Sequence, residues 1–137
     1  MSFLIDTNVL SELQKGERAD GGVKAWFASV SADELYLSVL VIGELQCGIS
    51  RLQVRDPAQA SVLESRMGRL REQMQDRILP VNESVAARWG QLNSRDPLPV
   101  IDGLLAATAL EFGLILVTRN TKDVERTGVL LLNPFAR

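Results

Sequence analysis

Short, continuous apolar runs alternate with longer helical patterns along this chain, and this alternation most restricts the folds open to it. Each run is too short for a buried helix and lacks the polar alternation of a half-exposed strand, which is typical of strands in a parallel sheet buried on both faces. The predicted strands cover residues 2–5, 35–38, 78–81, 114–117 and 129–132. The sequence therefore predicts an α/β fold with a mostly parallel central sheet, whose ligands bind beyond the carboxyl ends of the strands.

Capping residues and apolar periodicity predict the helices between these strands. A residue that favours the N-cap stands before each of three helical stretches, in one case followed by proline, and a glycine follows a fourth. These capping positions are Ser38, Asp56 with Pro57, Asn82 and Gly113, for helices predicted over residues 39–52, from 57, from 83 and over 100–112. No repeat or long linker interrupts the series, so we expect a single domain over residues 1–137.

Composition removes several classes of chemistry. The net charge of −2 excludes a uniformly basic coat for nucleic acid, although not a local basic patch. The chain has no histidine, which excludes histidine bases, histidine-bearing zinc sites and Ser-His-Asp triads. Cys47 is the only cysteine and cannot form an intrachain disulfide. No apolar stretch is long enough to span a membrane, so we expect a cytoplasmic protein that works through carboxylates, hydroxyls, amides or a metal.

Three carboxylates lie where the pattern otherwise calls for apolar side chains. Asp6 follows the first strand, Glu44 lies in the middle of an apolar helix, and Asp102 lies in the first turn of another. An isolated buried carboxylate is costly unless it is paired or becomes protonated. A shared divalent cation would keep all three charged, and oxygen ligands without histidine or cysteine indicate Mg²⁺ or Mn²⁺ rather than zinc.

Each of these carboxylates also has a purely structural interpretation. Asp6 could cap a helix that starts at Thr7. Asp102 could interact with the dipole of its own helix, and Glu44 could reach solvent at a helix edge. Five other acids are interpreted as members of solvated faces: Asp20, Asp33, Glu64, Glu72 and Asp76.

A polar turn follows the most apolar strand. Thr118, Asn120 and Asp123 bring hydroxyl, amide and carboxylate groups to that strand's carboxyl end, where they suit outer ligands of a metal or acceptors for its water. An ordinary turn in which Asn120 caps the next helix is an equal alternative. Asn8 could hold the Asp6 carboxylate by a hydrogen bond, or could simply begin a helix.

Four motifs in order resemble the PIN-domain ribonucleases and, among them, the VapC-type toxins of bacterial toxin–antitoxin pairs. The motifs are LIDTNVL (4–10), IGEL (42–45), IDGLLAAT (101–108) and LVTRNTKD (116–123). Residues 81–89 and 133–135 resemble the FitB-like branch of that family. The resemblance covers essentially the whole chain and implies a single PIN-like α/β/α sandwich with an acidic pocket at the carboxyl edge of its sheet.

The resemblance implies a Mg²⁺- or Mn²⁺-dependent endoribonuclease that leaves a 5′-phosphate and a 3′-hydroxyl. Asp6, Glu44 and Asp102 match the family's three principal metal-binding acids. Where some relatives carry a further aspartate, this chain has Asn120, which could orient a metal-bound water, and Asp123 could supply the missing charge. The motifs also place Thr7, Asn8 and Thr118 in supporting positions.

Partners are implied by the same resemblance. These toxins are usually homodimers, and a cognate, VapB-like antitoxin lies in a hydrophobic groove with an arginine that could displace the metal. For the RNA, the basic residues near strand-end loops are expected to attract phosphate: Lys15, Arg18, Arg119 and Lys122. The arginine-rich stretch over residues 51–77 either packs on its own domain or, as the resemblance implies for part of it, contacts a second copy of the chain or the antitoxin.

Two rival functions stay open on the sequence alone. A phosphatase with Asp6 as nucleophile would need a second aspartate two residues later, and that position is Asn8. A non-catalytic PIN-fold interaction module with a decayed pocket is consistent with Asn120. Enzymes that use a P-loop or a Gly-x-Gly-x-x-Gly turn are not supported, because neither motif occurs.

Overall fold

A five-stranded, all-parallel sheet forms the centre of the computed structural model, which describes residues 1–136. The predicted domain boundary at Arg137 lies outside the described residues. The strands are β1 (Phe3–Ile5), β2 (Leu35–Ser38), β3 (Ile78–Leu79), β4 (Ile115–Val117) and β5 (Leu131–Leu132), in the spatial order β3-β2-β1-β4-β5. β3 and β5 are each two residues shorter than predicted, and β1 and β4 are each one residue shorter.

The helices begin and end close to the predicted capping residues. They are α1 (Thr7–Leu13), α2 (Gly21–Ser29), α3 (Val39–Arg55), α4 (Pro57–Gln73), α5 (Glu83–Asn93), α6 (Val100–Phe112) and α7 (Thr121–Val124), with short 3₁₀ turns at Gly16–Arg18, Ala32–Glu34 and Glu125–Thr127. The side chains of Ser38, Asp56 and Asn82 each accept a backbone N–H of the helix they precede. Gly113 ends α6 in the left-handed conformation, with φ of 67°.

The order of the strands determines the layers. The chain steps outward from β1 to β2 and β3, then returns to the opposite side of β1 for β4 and β5. Because crossovers between parallel strands are right-handed, this reversal of direction places the helices before and after β3 on opposite faces of the sheet. The predicted α/β/α arrangement with a parallel sheet is confirmed.

The main core lies between the sheet and these helices, and the α3–α4 hairpin adds a small core of its own. Leu4, Leu37 and Leu116 are buried in the sheet. Ile49 of α3 packs with Ala60 and Met67 of α4 in the separate cluster. Met74, just after α4, is part of the main core, so α4 is packed on its own domain. None of the described helices is both long and apolar enough to cross a membrane.

The interpretation of Asp20 as a solvated surface acid is wrong. Asp20 is the N-cap of α2, and its Oδ2 accepts the backbone N–H groups of Gly22 and Val23 at 2.9 and 3.1 Å. It also accepts that of Ala136 at 2.8 Å, and this bond is the main cause of its lowered pKa. An aspartate just before a helix was a capping signal that the sequence contained.

Candidate metal centre

The candidate site lies at the carboxyl ends of β1 and β4, where the direction of the strand order reverses. Crevices at such reversal points are the usual ligand sites of open parallel sheets. Asp6 directly follows β1, and its backbone N–H donates to the carbonyl of Val117 at 2.9 Å. Thr118 directly follows β4. Strand pairing thus brings together two residues that are far apart in the sequence.

The Asp6 carboxylate is held by donors from three residues. Its Oδ1 accepts the backbone N–H of Thr7 at 2.7 Å, as an N-cap does. Its Oδ2 accepts the hydroxyl of Thr118 at 2.7 Å, and the amide of Asn8 donates to it at a longer 3.4 Å. Asp6 therefore caps α1 and also faces the cleft, so the structural and functional interpretations do not exclude each other.

Asp102 lines the same narrow cleft as Asp6, from the first turn of α6. Thr118 and Asn120 line it as well. Partial burial raises the pKa of Asp102, and the negative charges of Asp6, Asp123 and Glu44 raise it further, in that order. Asp6, Asp123 and Glu44 thus all lie near enough to Asp102 for their charges to act on it.

Glu44 lies at the edge of this cleft rather than within it. It is half-buried on α3, and one of its carboxylate oxygens accepts a hydrogen bond from the hydroxyl of Thr7. The residues that line the cleft do not include Glu44, which instead lines two neighbouring grooves. An ion between Asp6 and Asp102 would therefore be reached by Glu44 more readily through a water.

Asn120 and Asp123 follow β4 on the same side of the molecule. Asn120 is the N-cap residue of α7, but its side chain makes no capping hydrogen bond, while its backbone N–H donates to Thr118 Oγ1 at 3.1 Å. The amide is thus not committed to the helix start. Asp123 lies within α7 and is exposed, and its charge acts on Asp102.

The donors of this cleft suit a hard divalent cation held by few protein ligands. No ion pair involves Asp6, Glu44, Asp102 or Asp123 within residues 1–136, so their charges are not neutralised by a nearby cation. In the same residues, no three acidic or cysteine side chains form a ready-made cage. Mg²⁺ commonly binds through one or two carboxylates and keeps several waters, which fits Asp6 and Asp102 with the neutral oxygens beside them.

Comparison with known proteins decides the family. A model of the PIN domain family matches residues 3–130. This chain belongs to the PIN domain family. It is 33% identical to the toxin FitB of Neisseria gonorrhoeae over 97% of this chain and 98% of that protein. It is 30% identical to the VapC ribonuclease Y4jK of Sinorhizobium fredii, with 97% of both chains covered.

Solved structures agree with this assignment. The crystal structure of FitAcB from N. gonorrhoeae matches this PIN domain with a TM-score of 0.88 and 32% identity, over 96% of this chain and 97% of that one. The structure of FitAB bound to an IR36 DNA fragment matches with the same TM-score and 30% identity, over 98% and 96% of the two chains. The resemblance that the four motifs indicated is confirmed.

The four predicted RNA-binding residues of this PIN domain fall into two groups. Lys15 and Arg18 line a groove that also reaches Thr7 and Glu44. Arg119 does not line this groove: its guanidinium lies 4.5 Å from the ring centroid of Phe135. Lys122 is exposed on α7 and does not line this groove either.

Sequence reasoning missed two further basic residues of that groove. Arg55 ends α3, and Arg66 lies in the middle of α4. Both belong to an arginine-rich segment. Its apolar periodicity identifies the buried face of the helix, but it does not show which exposed side chains lie near the candidate site. Only the packing of α4 against α3 and α1 places these two side chains with Lys15 and Arg18.

Proposed function

We propose that this PIN domain is a metal-dependent endoribonuclease toxin that a cognate antitoxin neutralises. The observation that carries the proposal is the pairing of Asp6 and Asp102 across one cleft, with two further acids close enough to raise the pKa of Asp102. A bound cation would neutralise these unpaired carboxylates, and they lie at the edge of the sheet where parallel folds usually bind ligands. Similarity to a VapC ribonuclease supports the reaction, and similarity to the toxin FitB supports the biological role.

Asp6 and Asp102 would hold Mg²⁺ or Mn²⁺, with Glu44 acting through a water at the edge. When bound, such an ion supplies a Lewis acid for the phosphodiester and lowers the pKa of a water that it binds toward neutrality. Oxygen donors without histidine or cysteine favour these two ions over zinc.

The residues around the cleft would position the reacting groups. Thr118 and the N–H of Thr7 fix the two oxygens of Asp6, so that this carboxylate keeps one orientation. The free amide of Asn120 would orient the attacking water, and Asp123 would add negative charge beside it. Hydrolysis by water needs no covalent intermediate, which suits a site without an activated nucleophile. With the 3′ oxygen as the leaving group, as the family resemblance implies, the products would be a 5′-phosphate and a 3′-hydroxyl.

Cleavage of a labelled single-stranded RNA with added Mg²⁺ or Mn²⁺ tests the proposal. Asp102→Asn should lower the metal-dependent rate by about 10²-fold or more, because it removes one of two charged ligands. Glu64→Gln, on the exposed face of α4, is the matched control and should cut at the wild-type rate. Equal rates in wild type and Asp102→Asn would contradict the role of Asp102, and full activity of the wild type in EDTA would contradict the metal dependence. No cleavage by the wild type with either metal would favour a non-catalytic module.

An apolar groove beside the site fits the proposed antitoxin. It measures about 740 Å³ and runs between α1, α2 and α4, with Leu10, Phe27 and Leu70 among its lining residues. Phe27 is 44% exposed there, which is unusual for a large aromatic side chain. Co-purification of the wild type with an antitoxin, and its loss in Phe27→Asp, would test this assignment.

A homodimer would cover a second apolar surface, on the amino-terminal half of α3 and the start of α6. Val39 is 42% exposed and lines a groove with Leu40 and Ile101. Val100, which directly precedes Ile101 in the chain, is 59% exposed. A second copy of the chain would remove these side chains from water. Sedimentation velocity of wild type and Val100→Glu tests this, because the variant should become monomeric if the surface is the interface.

A further inference from the structure

A basic groove starts at the edge of the candidate metal centre. It measures about 580 Å³ and begins at Thr7 and Glu44, both next to the cleft. From there it extends along the facing sides of α3 and α4, as far as Arg55 and Arg66. The groove therefore connects the proposed catalytic carboxylates to Arg55, which lies about three helical turns after Glu44 on α3.

The charge of this groove is one-sided. Lys15, Arg18, Arg55 and Arg66 line it, and Glu44 is the one acid among its lining residues. Lys15 is paired with Glu12 at 2.9 Å, whereas the three arginines have no carboxylate within salt-bridge distance in residues 1–136. Three exposed, unpaired guanidinium groups in one groove create a positive local potential that attracts an anionic ligand.

The remaining lining residues favour contacts with the phosphates of a nucleic acid rather than with its bases. Leu45, Leu52 and Leu63 form part of the floor, and no aromatic side chain lines the groove. Without an aromatic surface on which bases can stack, binding would depend on phosphate contacts and would be strongly sensitive to salt. Arg66 is already oriented, because its Nη1 donates to the carbonyl of Gln14 at 3.1 Å and leaves other N–H donors for a ligand.

We propose that RNA leaves the cleft through this groove, with its phosphates bound by Arg18, Arg55 and Arg66. The inference rests on the proposed function and extends it, because it assigns the substrate a direction: toward the α3–α4 hairpin rather than past Arg119 and Lys122. Chemically, the ligand is a flexible polyanion whose sequence the groove does not read.

Fluorescence anisotropy with a labelled oligouridine tests the proposal without any cleavage. All proteins carry Asp102→Asn, so that the probe stays intact. The double variant Arg18→Gln, Arg55→Gln should bind roughly tenfold more weakly, and the slope of log affinity against log salt should shrink by about 1.4, or about 0.7 for each lost phosphate contact. Arg66 is left unchanged because it also holds α4 to the end of α1.

Arg71→Gln, Arg95→Gln is the matched control, since it removes the same charge from exposed positions that do not line the groove. Its affinity and salt slope should remain those of the parent. Equal binding by all three proteins overturns the inference, and so does an equal loss in both double variants, because the effect would then be one of net charge. Tighter binding of a labelled polyglutamate than of oligouridine would assign the groove to an acidic peptide instead.

The outcomes separate this inference from the proposed function. A chain that binds oligouridine through the groove but never cuts RNA would refute the nuclease proposal and leave the groove assignment intact. A chain that cuts RNA with metal, while the groove variant binds as tightly as its parent, would refute the groove assignment only. Thermal unfolding of each variant, expected to match the parent because all four arginines are exposed, excludes misfolding as the cause.

Discussion

Thr118 Oγ1 donates a 2.7 Å hydrogen bond to Asp6 Oδ2, although the two residues are 112 positions apart. Thr118 is 1% exposed, and its hydroxyl also accepts the backbone N–H of Asn120. One buried hydroxyl thus links the carboxyl ends of β1 and β4 to the N-cap residue of α7. Partners of this kind orient a metal-binding carboxylate and keep its charged form in place.

Thr118→Val should weaken Mn²⁺ binding by about 10- to 100-fold, because it keeps the shape of the side chain but removes the donor to Asp6. Isothermal titration calorimetry measures the change. Thr118→Ser is the control, since it keeps the hydroxyl and should bind close to wild type. If the valine variant binds as tightly as the serine variant, this hydrogen bond does not orient a metal ligand.

The pKa of Asp102 makes the stability of the metal-free protein depend on pH. Burial and three neighbouring acids raise this pKa above its value in the unfolded chain. The stability contributed by protonated Asp102 is therefore fully present below the unfolded-state pKa and is lost as pH rises through the raised folded-state pKa. Asp102→Asn should remove that loss, so its Tm in EDTA should exceed the wild-type Tm at neutral pH.

Thermal unfolding in EDTA across an acidic-to-neutral pH series measures this difference. Asp20 and Glu12, whose pKa values are lowered, act in the opposite direction and are present in both proteins, so the comparison isolates Asp102. Glu64→Gln should follow the wild-type curve. Parallel curves for wild type and Asp102→Asn would show that Asp102 is not under electrostatic strain.

Asn120→Asp should tighten Mn²⁺ binding by roughly tenfold, because it adds a carboxylate to the cleft that Asp6 and Asp102 already line. The same change should lower the Tm of the metal-free protein, since it adds like charge where none is neutralised. Gln75→Glu adds one negative charge at an exposed position and is the control. Unchanged affinity in Asn120→Asp would place this side chain outside the coordination of the ion.

Gly22→Ala should destabilise the protein by about 1–3 kcal/mol, because the added Cβ would clash with the carbonyl oxygen of Pro134 and lie 2.6 Å from the backbone nitrogen of Ala136. Those atoms belong to the segment that Asp20 holds against the start of α2. Gly21→Ala has open space around its Cβ and should be neutral or slightly stabilising. Urea unfolding compares the two, and equal midpoints would contradict the close packing.

The strands and most helix boundaries of this chain could be predicted from its sequence. Continuous apolar runs gave the strands, and Ser38, Asp56, Asn82 and Gly113 gave helix boundaries, because caps and burial patterns act over a few neighbouring residues. Asp6, Glu44 and Asp102 stood out for a related reason: a carboxylate in an apolar pattern needs an explanation wherever it lies. The capping role of Asp20 was readable in the same way and was missed, whereas its third backbone donor, Ala136, lies at the far end of the sequence and was beyond any local pattern.

What the tertiary structure alone decided is which of these residues meet. Pairing of β1 with β4 places Asp6 beside Thr118. The packing of α4 against α3 places Arg55 and Arg66 in one groove with Lys15 and Arg18. The tertiary structure also sets Glu44 at the rim and Asp102 within the cleft, a distinction that the sequence did not contain. Long-range pairing of this kind is specified by the whole core at once, so no local pattern encodes it.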